Sequence, residues 1–294
     1  MTTATERVFI LGGTGNIGVK VVNDLIANNV PVTLYARDPS KAKSTFTAKT
    51  DLIQIVQGDY KDLSPLKEGV KGHTRLFLLV ADFSRFSETK REVAEYAYAA
   101  GVKQIVDISS FTVDHGWRRS FLGQHHYLGE KAVLDIPNRG KFVALRPGVF
   151  MSNFLWMSNV ATQGFIYDDI PADQPQSWIS PNDIGAVAAT ILQDDVDKHG
   201  DAVYGLHSDV VTPNEQAAIF SRILGREISY KQVTPVERYR LMVEHHVPSP
   251  IALDMVDNLV GSDKQRVSPC IEILTGKKPE TLEHYLTENK HLIK

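Results

Sequence analysis

Val8-Phe9-Ile10-Leu11 runs without interruption into Gly12-Gly13-Thr14-Gly15-Asn16-Ile17-Gly18, after which Val21, Leu25 and Ile26 continue the helical spacing begun at Ile17. The glycines read both as GxGxxG from Gly13 and as GxxGxxG from Gly12. A tight turn off a strand needs a residue that tolerates positive φ, and a pyrophosphate comes close to backbone only where no Cβ stands. The last glycine lets the helix approach the sheet, and the helix N-terminus offers free N–H groups and positive dipole. The strand before and the amphipathic helix after are the context in which this spacing carries meaning. Gly12, Thr14, Gly15, Asn16, Ile17 and Gly18 are therefore the expected contacts of a dinucleotide's phosphates.

Outward from that loop, short apolar runs recur at Val32–Ala36, Leu52–Val56, Leu76–Val80, Gln104–Ile108 and Phe142–Leu145. Their nearly continuous apolar character suits strands buried on both faces of a parallel sheet. The stretches between them accommodate crossover helices, one being Ala-rich Glu92 to Ala100, ended by Gly101. This alternation predicts an α/β, Rossmann-type doubly wound parallel sheet over residues 1–150. Beyond Pro147-Gly148 the regularity breaks, and 151–294 is expected to form a smaller mixed α/β C-terminal substrate lobe. Elements of the first domain are expected to recur around 178–206. Ser180-Pro181-Asn182-Asp183 and Thr212-Pro213-Asn214-Glu215 both read as capped helix starts, and Gly225 as a stop.

Composition narrows the function classes. The 294 residues are 43% hydrophobic and 23% charged, ordinary globular values. A net charge of −3 gives no field to recruit nucleic acid or an anionic membrane. The longest late apolar run, Leu76 to Ala81, is far short of the roughly 18 residues of a membrane span. The single cysteine, Cys270, forbids an internal disulfide, and with no signal-peptide pattern at the N-terminus it points to the cytoplasm. The pairs His125-His126 and His245-His246 lack metal-ligand spacing, so no metal is expected.

The second strand run ends Leu34-Tyr35-Ala36-Arg37-Asp38. An acid about 20 residues past the glycines normally takes the adenosine ribose of NAD. Ala36 stands there instead, and Arg37, aided by Lys41, suits the 2′-phosphate of NADP. Asp38 leaves the choice open, since a shift of two residues would make it the ribose ligand.

Gly12–Gly18, Arg37, Gly58-Asp59, Ser109-Ser110, Leu145-Arg146-Pro147-Gly148-Val149-Phe150-Met151-Ser152-Asn153-Phe154 and Asn182-Asp183-Ile184-Gly185 together resemble the NmrA-like, or atypical, short-chain dehydrogenase/reductases. The resemblance spans essentially the whole chain. It implies NADPH as cofactor, Asp59 among the cofactor residues, and a small-molecule substrate, in a monomer or homodimer without nucleic-acid or membrane partners. It also implies either a reductase acting on a quinone, carbonyl, imine or activated alkene, or a dinucleotide-sensing regulator without turnover. Non-redox cyclisation or isomerisation on the same scaffold is a third reading. Within this resemblance Tyr127 and Lys131, four apart on one helix face, match the YxxxK pair. Three arrangements stay open: Ser110–Tyr127–Lys131 as a full set, Lys131 with His126 as proton donor, or a helix that only holds cofactor. Lys131 touches the nicotinamide ribose in each. Phe83, Phe111, Trp117, Phe150 and Phe154 leave the expected strand ends and are the candidate wall of an apolar or aromatic substrate pocket.

Overall fold

The computed structural model describes residues 7–115, 118–155, 160–257 and 266–294. Strand and helix alternate through the first half: β1 (Val8–Leu11), α1 (Asn16–Ala27), β2 (Val32–Ala36), α2 (Pro39–Thr45), β3 (Ile53–Gln57), α3 (Ser64–Gly69), β4 (Arg75–Leu78), α4 (Phe86–Ala99), β5 (Gln104–Ile108), α5 (Phe121–Leu134) and β6 (Lys141–Pro147). The expected strands fall within two residues of these bounds, whereas α4 begins six residues before Glu92. There follow β7 (Val149–Phe150), α6 (Val160–Gln163), β8 (Phe165–Asp168), β9 (Gln176–Ile179), α7 (Pro181–Gln193), α8 (Val196–His199), β10 (Val203–Leu206) and β11 (Asp209–Val211). The chain ends with α9 (Pro213–Leu224), β12 (Ser229–Gln232), α10 (Pro235–Glu244), α11 (Ser249–Asp257), α12 (Pro269–Thr275) and α13 (Leu282–Glu288).

The main sheet has seven strands in the order β10-β6-β5-β4-β1-β2-β3. The pairings from β6 through β3 are parallel. Val8, Phe9, Ile10 and Leu11 are all fully buried, as they must be in a strand covered on both faces. Phe9, Leu11, Leu76, Leu78, Ile105 and Phe142 form one face of the core with Leu66, Val93, Ala97 and Val133 from the helices. The strand order reverses between β1 and β4, the place where such sheets open a crevice for a dinucleotide.

The chain divides into two compact units. The first comprises residues up to Ser110, His125–Arg146 and Ile184–Tyr204; the second comprises Phe111–Gln124, Pro147–Asp183 and Gly205–Lys294. The second unit holds a three-stranded sheet, β11-β9-β7, and the pair β12-β8. Its core gathers Met151, Ile166, Trp178, Phe220 and Leu286. Within it α9 starts in a capping box, Thr212 accepting from Glu215 N while the Glu215 carboxylate accepts from Thr212 N, and stops at Gly225 with φ 68°. At Ser180 the hydroxyl does accept from Asn182 N, at 3.0 Å, but Asp183 takes Ser208 Oγ and Glu280 N instead of closing a box. No helix among the described residues is long and apolar enough to cross a membrane.

One interaction inside the first unit is costly and therefore informative. Lys90 and Asp107 have fully buried side chains and pair at 2.8 Å, with Lys90 Nζ also donating to Ile108 O at 3.1 Å. The ammonium lies 4.5 Å from the centre of the Phe86 ring. Burial pushes the Asp107 carboxyl upward and Lys90 opposes it. Breaking such a pair strands one charge in the core. Lys90→Met is expected to cost about 3–5 kcal/mol in urea denaturation. The double variant Lys90→Met/Asp107→Leu should recover most of that loss.

Candidate functional site

At the end of β1, Gly12 turns the chain at φ +78°. Gly15 N donates back to Gly12 O at 3.2 Å. Gly15 is also the N-cap of α1, in extended conformation, with no side-chain cap and no acid in the first turn. The first amides of α1 are thus left for a ligand to satisfy. Gly18 is obligatory, because a Cβ there would sit 2.2 Å from Gly12 O and 2.6 Å from Gly13 Cα. The cradle exists because a side chain is missing.

A cleft of about 470 Å³ opens beside this turn, lined by Gly12, Thr14, Gly15, Ala36, Arg37, Lys41, Asp59 and Asp82 among others. Six of the expected cofactor residues therefore share one cavity: Gly12, Thr14, Gly15, Arg37, Lys41 and Asp59. Asn16, Ile17 and Gly18 stand outside its lining. Ile17 is only 5% exposed, its side chain packed in the core, so it offers a ligand its N–H alone.

Asp38 is engaged by its own helix. Its Oδ1 accepts from Ser40 N at 2.9 Å and Lys41 N at 3.1 Å, capping α2, while Ala36, Arg37 and Lys41 line the cleft. The carboxylate is spent on a helix start, and the two cations remain.

Two tyrosines that sequence reading passed over stiffen the floor. Tyr35 Oη donates to Asp59 O at 2.8 Å, and Tyr60 Oη donates to Leu79 O at 3.1 Å. Burial pushes both phenols up to about 12, so they stay donors at neutral pH. Gly58 has no room for a Cβ, which would lie 2.3 Å from Tyr35 Oη. At the rim, Ser84 donates to Asp82 through its amide and hydroxyl, holding that carboxyl below its usual range.

On α5 the expected pair lies on the exposed face. Tyr127 is 43% exposed, and Lys131, also exposed, pairs with Asp135 at 2.5 Å. Asp135 raises the Lys131 ammonium's pKa, chiefly through that hydrogen bond. The i, i+4 spacing does put both on one face, but it is the outer one. Gly123, His126, Glu130 and Val133 form the inner face. Glu130 accepts from Ser109 Oγ at 2.5 Å and from Arg146 Nε and Nη2 at 2.9 and 2.7 Å. Ser109, buried at the end of β5, thus engages α5, while Ser110 beside it is half-buried. The Arg of Arg-Pro-Gly was visible in the sequence; its partner Glu130 was not.

The aromatic candidates are shared between the two units. Phe83 stacks on Phe86 at 5.0 Å and meets the edges of His125 and His126. In the second unit Phe111 lies against His115 and His207, and Phe150 is half-buried in β7. Phe154 is half-buried and packs on Trp178 at 4.5 Å and Phe220 at 5.6 Å, against that unit's core. Trp117 lies outside the described residues. No group of three His, Cys, Asp or Glu that could hold a metal forms among the described residues.

A doubly wound sheet with a glycine cradle at its switch point defines a Rossmann-type protein. The chain belongs to the NmrA-like family, whose model matches residues 4–290. It is 28% identical over 288 residues to the (4-alkanoyl-5-oxo-2,5-dihydrofuran-3-yl)methyl phosphate reductase of Streptomyces griseus, covering 96% of this chain and 97% of that protein. Its fold is that of an Escherichia coli NADPH-dependent quinone oxidoreductase solved with NADPH, with TM-score 0.78 and 23% identity over 98% of this chain and 100% of the other. A Citrobacter triphenylmethane reductase solved with NADP(H) superposes with TM-score 0.77 and 22% identity, covering 96% and 99%.

Because Gly18 has no space for a side chain, Gly18→Ala is expected to cost about 1–3 kcal/mol by overpacking. It should also abolish the rise in thermal midpoint that NADPH gives the wild type. Tyr127→Phe and Lys131→Met should leave both the midpoint and that rise unchanged.

Proposed function

We propose that the protein is an NADPH-dependent reductase that delivers hydride to an electrophilic carbon of a small organic molecule. The observation that carries the cofactor choice is the shared cleft: Arg37 and Lys41 line the same cavity as Gly12 and Gly15, while Asp38 is occupied as a helix cap. A guanidinium and an ammonium at the end of β2, where an acid normally holds a bare ribose diol, suit a 2′-phosphate. Relatives named as reductases support the reaction class. When bound, the dihydronicotinamide supplies the hydride.

The chain's own residues hold and shape. Gly12 and Gly15 let the diphosphate reach the first amides of α1. Arg37 and Lys41 hold the 2′-phosphate, and Asp59, fixed by its bond from Lys61 N at 2.8 Å, borders the adenosine end. Leu79, Ala81 and Asp82 carry the cleft wall past the end of β4, toward the half of the sheet that takes the nicotinamide.

Arg37→Ala/Lys41→Ala is expected to weaken NADPH binding about 10–100-fold, two charge-assisted contacts being lost. NADH binding should change by less than about threefold, since it has no 2′-phosphate. Titration of cofactor fluorescence measures both. Equal losses for NADPH and NADH would sink the assignment. Tight NADPH binding without oxidation by any quinone or carbonyl would move the protein to the class of dinucleotide sensors.

A further inference from the structure

The cleft lined by Arg37 and Lys41 is also lined by two acids, Asp59 and Asp82. The two acids act on different parts of its floor. Tyr35 is raised by burial first and then by Asp59, to whose carbonyl it donates. Tyr60 is raised by burial too, but there Arg37 opposes and Asp82 adds. Its hydroxyl is fixed on Leu79 O at 3.1 Å. Asp82 and Arg37 therefore both lie near one anchored ring, the acid from the loop after β4 and the cation from the loop after β2.

Asp82 is held in place by its own turn. It caps the short helical turn Phe83–Arg85, Oδ1 accepting from Ser84 N at 2.9 Å and from Ser84 Oγ at 2.7 Å. Those bonds first, and the Arg37 guanidinium after them, keep the carboxyl below its usual range, so it is ionised at neutral pH. Yet no ion pair closes between Asp82 and Arg37 among the described residues. Arg85, nearer in sequence, pairs with Glu92 at 2.8 Å instead. The carboxylate is close enough to act on the Arg37 guanidinium and too far away to consume it.

We propose that Asp82 is the counterweight to Arg37 in cofactor choice: its negative charge weakens the hold on a 2′-phosphate and so narrows the advantage of NADPH over NADH. This rests on the reading of Arg37 and Lys41 as the 2′-phosphate contacts. A phosphomonoester carries about −1.5 to −2 at pH 7. Beside Arg37 it enters the field of an ionised carboxylate that has no proton to offer, and like charges repel in proportion to charge and inverse distance. NADH brings only hydroxyls to that place, and these donate to a carboxylate at no such cost. The diphosphate is common to both cofactors and biases neither. The cleft thus selects the 2′-phosphate with two cations and restrains the choice with one acid.

Fluorescence titration of NADPH and NADH into wild type and Asp82→Asn tests this. The amide keeps an acceptor for Ser84 and drops the charge; Asp82→Ser, a good helix cap, drops it by another route. In about 20 mM salt both variants should bind NADPH about 3–10-fold more tightly, the scale of one charge beside a phosphate dianion in a wet cleft. NADH affinity should change by less than about twofold, since no second phosphate group meets that charge. In about 500 mM salt the gain for NADPH should fall below about twofold, because screening then acts within about 4 Å. An unchanged or weaker NADPH affinity, an equal gain for both cofactors, or a gain that survives salt would overturn the proposal. A wild type that binds neither dinucleotide would overturn the cofactor reading itself.

Discussion

The contact between the start of α1 and the turn after β1 is the constraint from which the first unit's site grows. At Gly18 there is no space for a single methyl group, since Gly12 O already occupies it. That closeness brings the unsatisfied amides of α1 to the end of β1, and the same turn borders the cleft that Arg37 and Lys41 complete. What this turn offers an anion is backbone, made available by the absence of side chains. Tyr35 and Tyr60 then set the floor by bonding to carbonyls of the neighbouring loops.

A second organising feature is the grip on the end of β5. Lys90 holds Asp107 and Ile108 O, while Glu130 holds Ser109 and is itself held by Arg146. Two ion pairs of opposite orientation, one fully buried and one nearly so, thereby fix three consecutive residues at a strand end. Gly129 lets α5 approach α4, a Cβ there lying 3.0 Å from Phe86 and 3.1 Å from Lys90. Such pairs add little net stability over apolar packing, but they specify position. Here they specify where the strand end lies relative to the inner face of α5, and so where His126 stands.

Much of this was legible in the primary structure, for identifiable reasons. Phosphate loops depend on local backbone, so Gly12–Gly18 announced itself through spacing alone. Buried parallel strands must be apolar on both faces, so their runs were visible to within two residues. Capping boxes are equally local, and Thr212 with Glu215 behaves as its spacing suggests. At α5 the local pattern says less, for an equally physical reason. Spacing of four says that Tyr127 and Lys131 share a face, but it does not say which face the sheet covers. Their neighbours His126 and Glu130, one position back, took the inner side.

The sequence by itself determined the class of fold, the glycine turn into α1 and the two cations that follow β2. Each follows from residues close together in the chain, where φ, ψ and helical period govern the outcome. Only the tertiary structure decided that Asp38 caps α2, which face of α5 turns inward, and that Phe154 packs against Trp178 and Phe220. It also brought Ser109, Glu130 and Arg146 together from three separate elements. These are questions of which surfaces meet, settled by packing between distant segments and by the need to pair every buried charge.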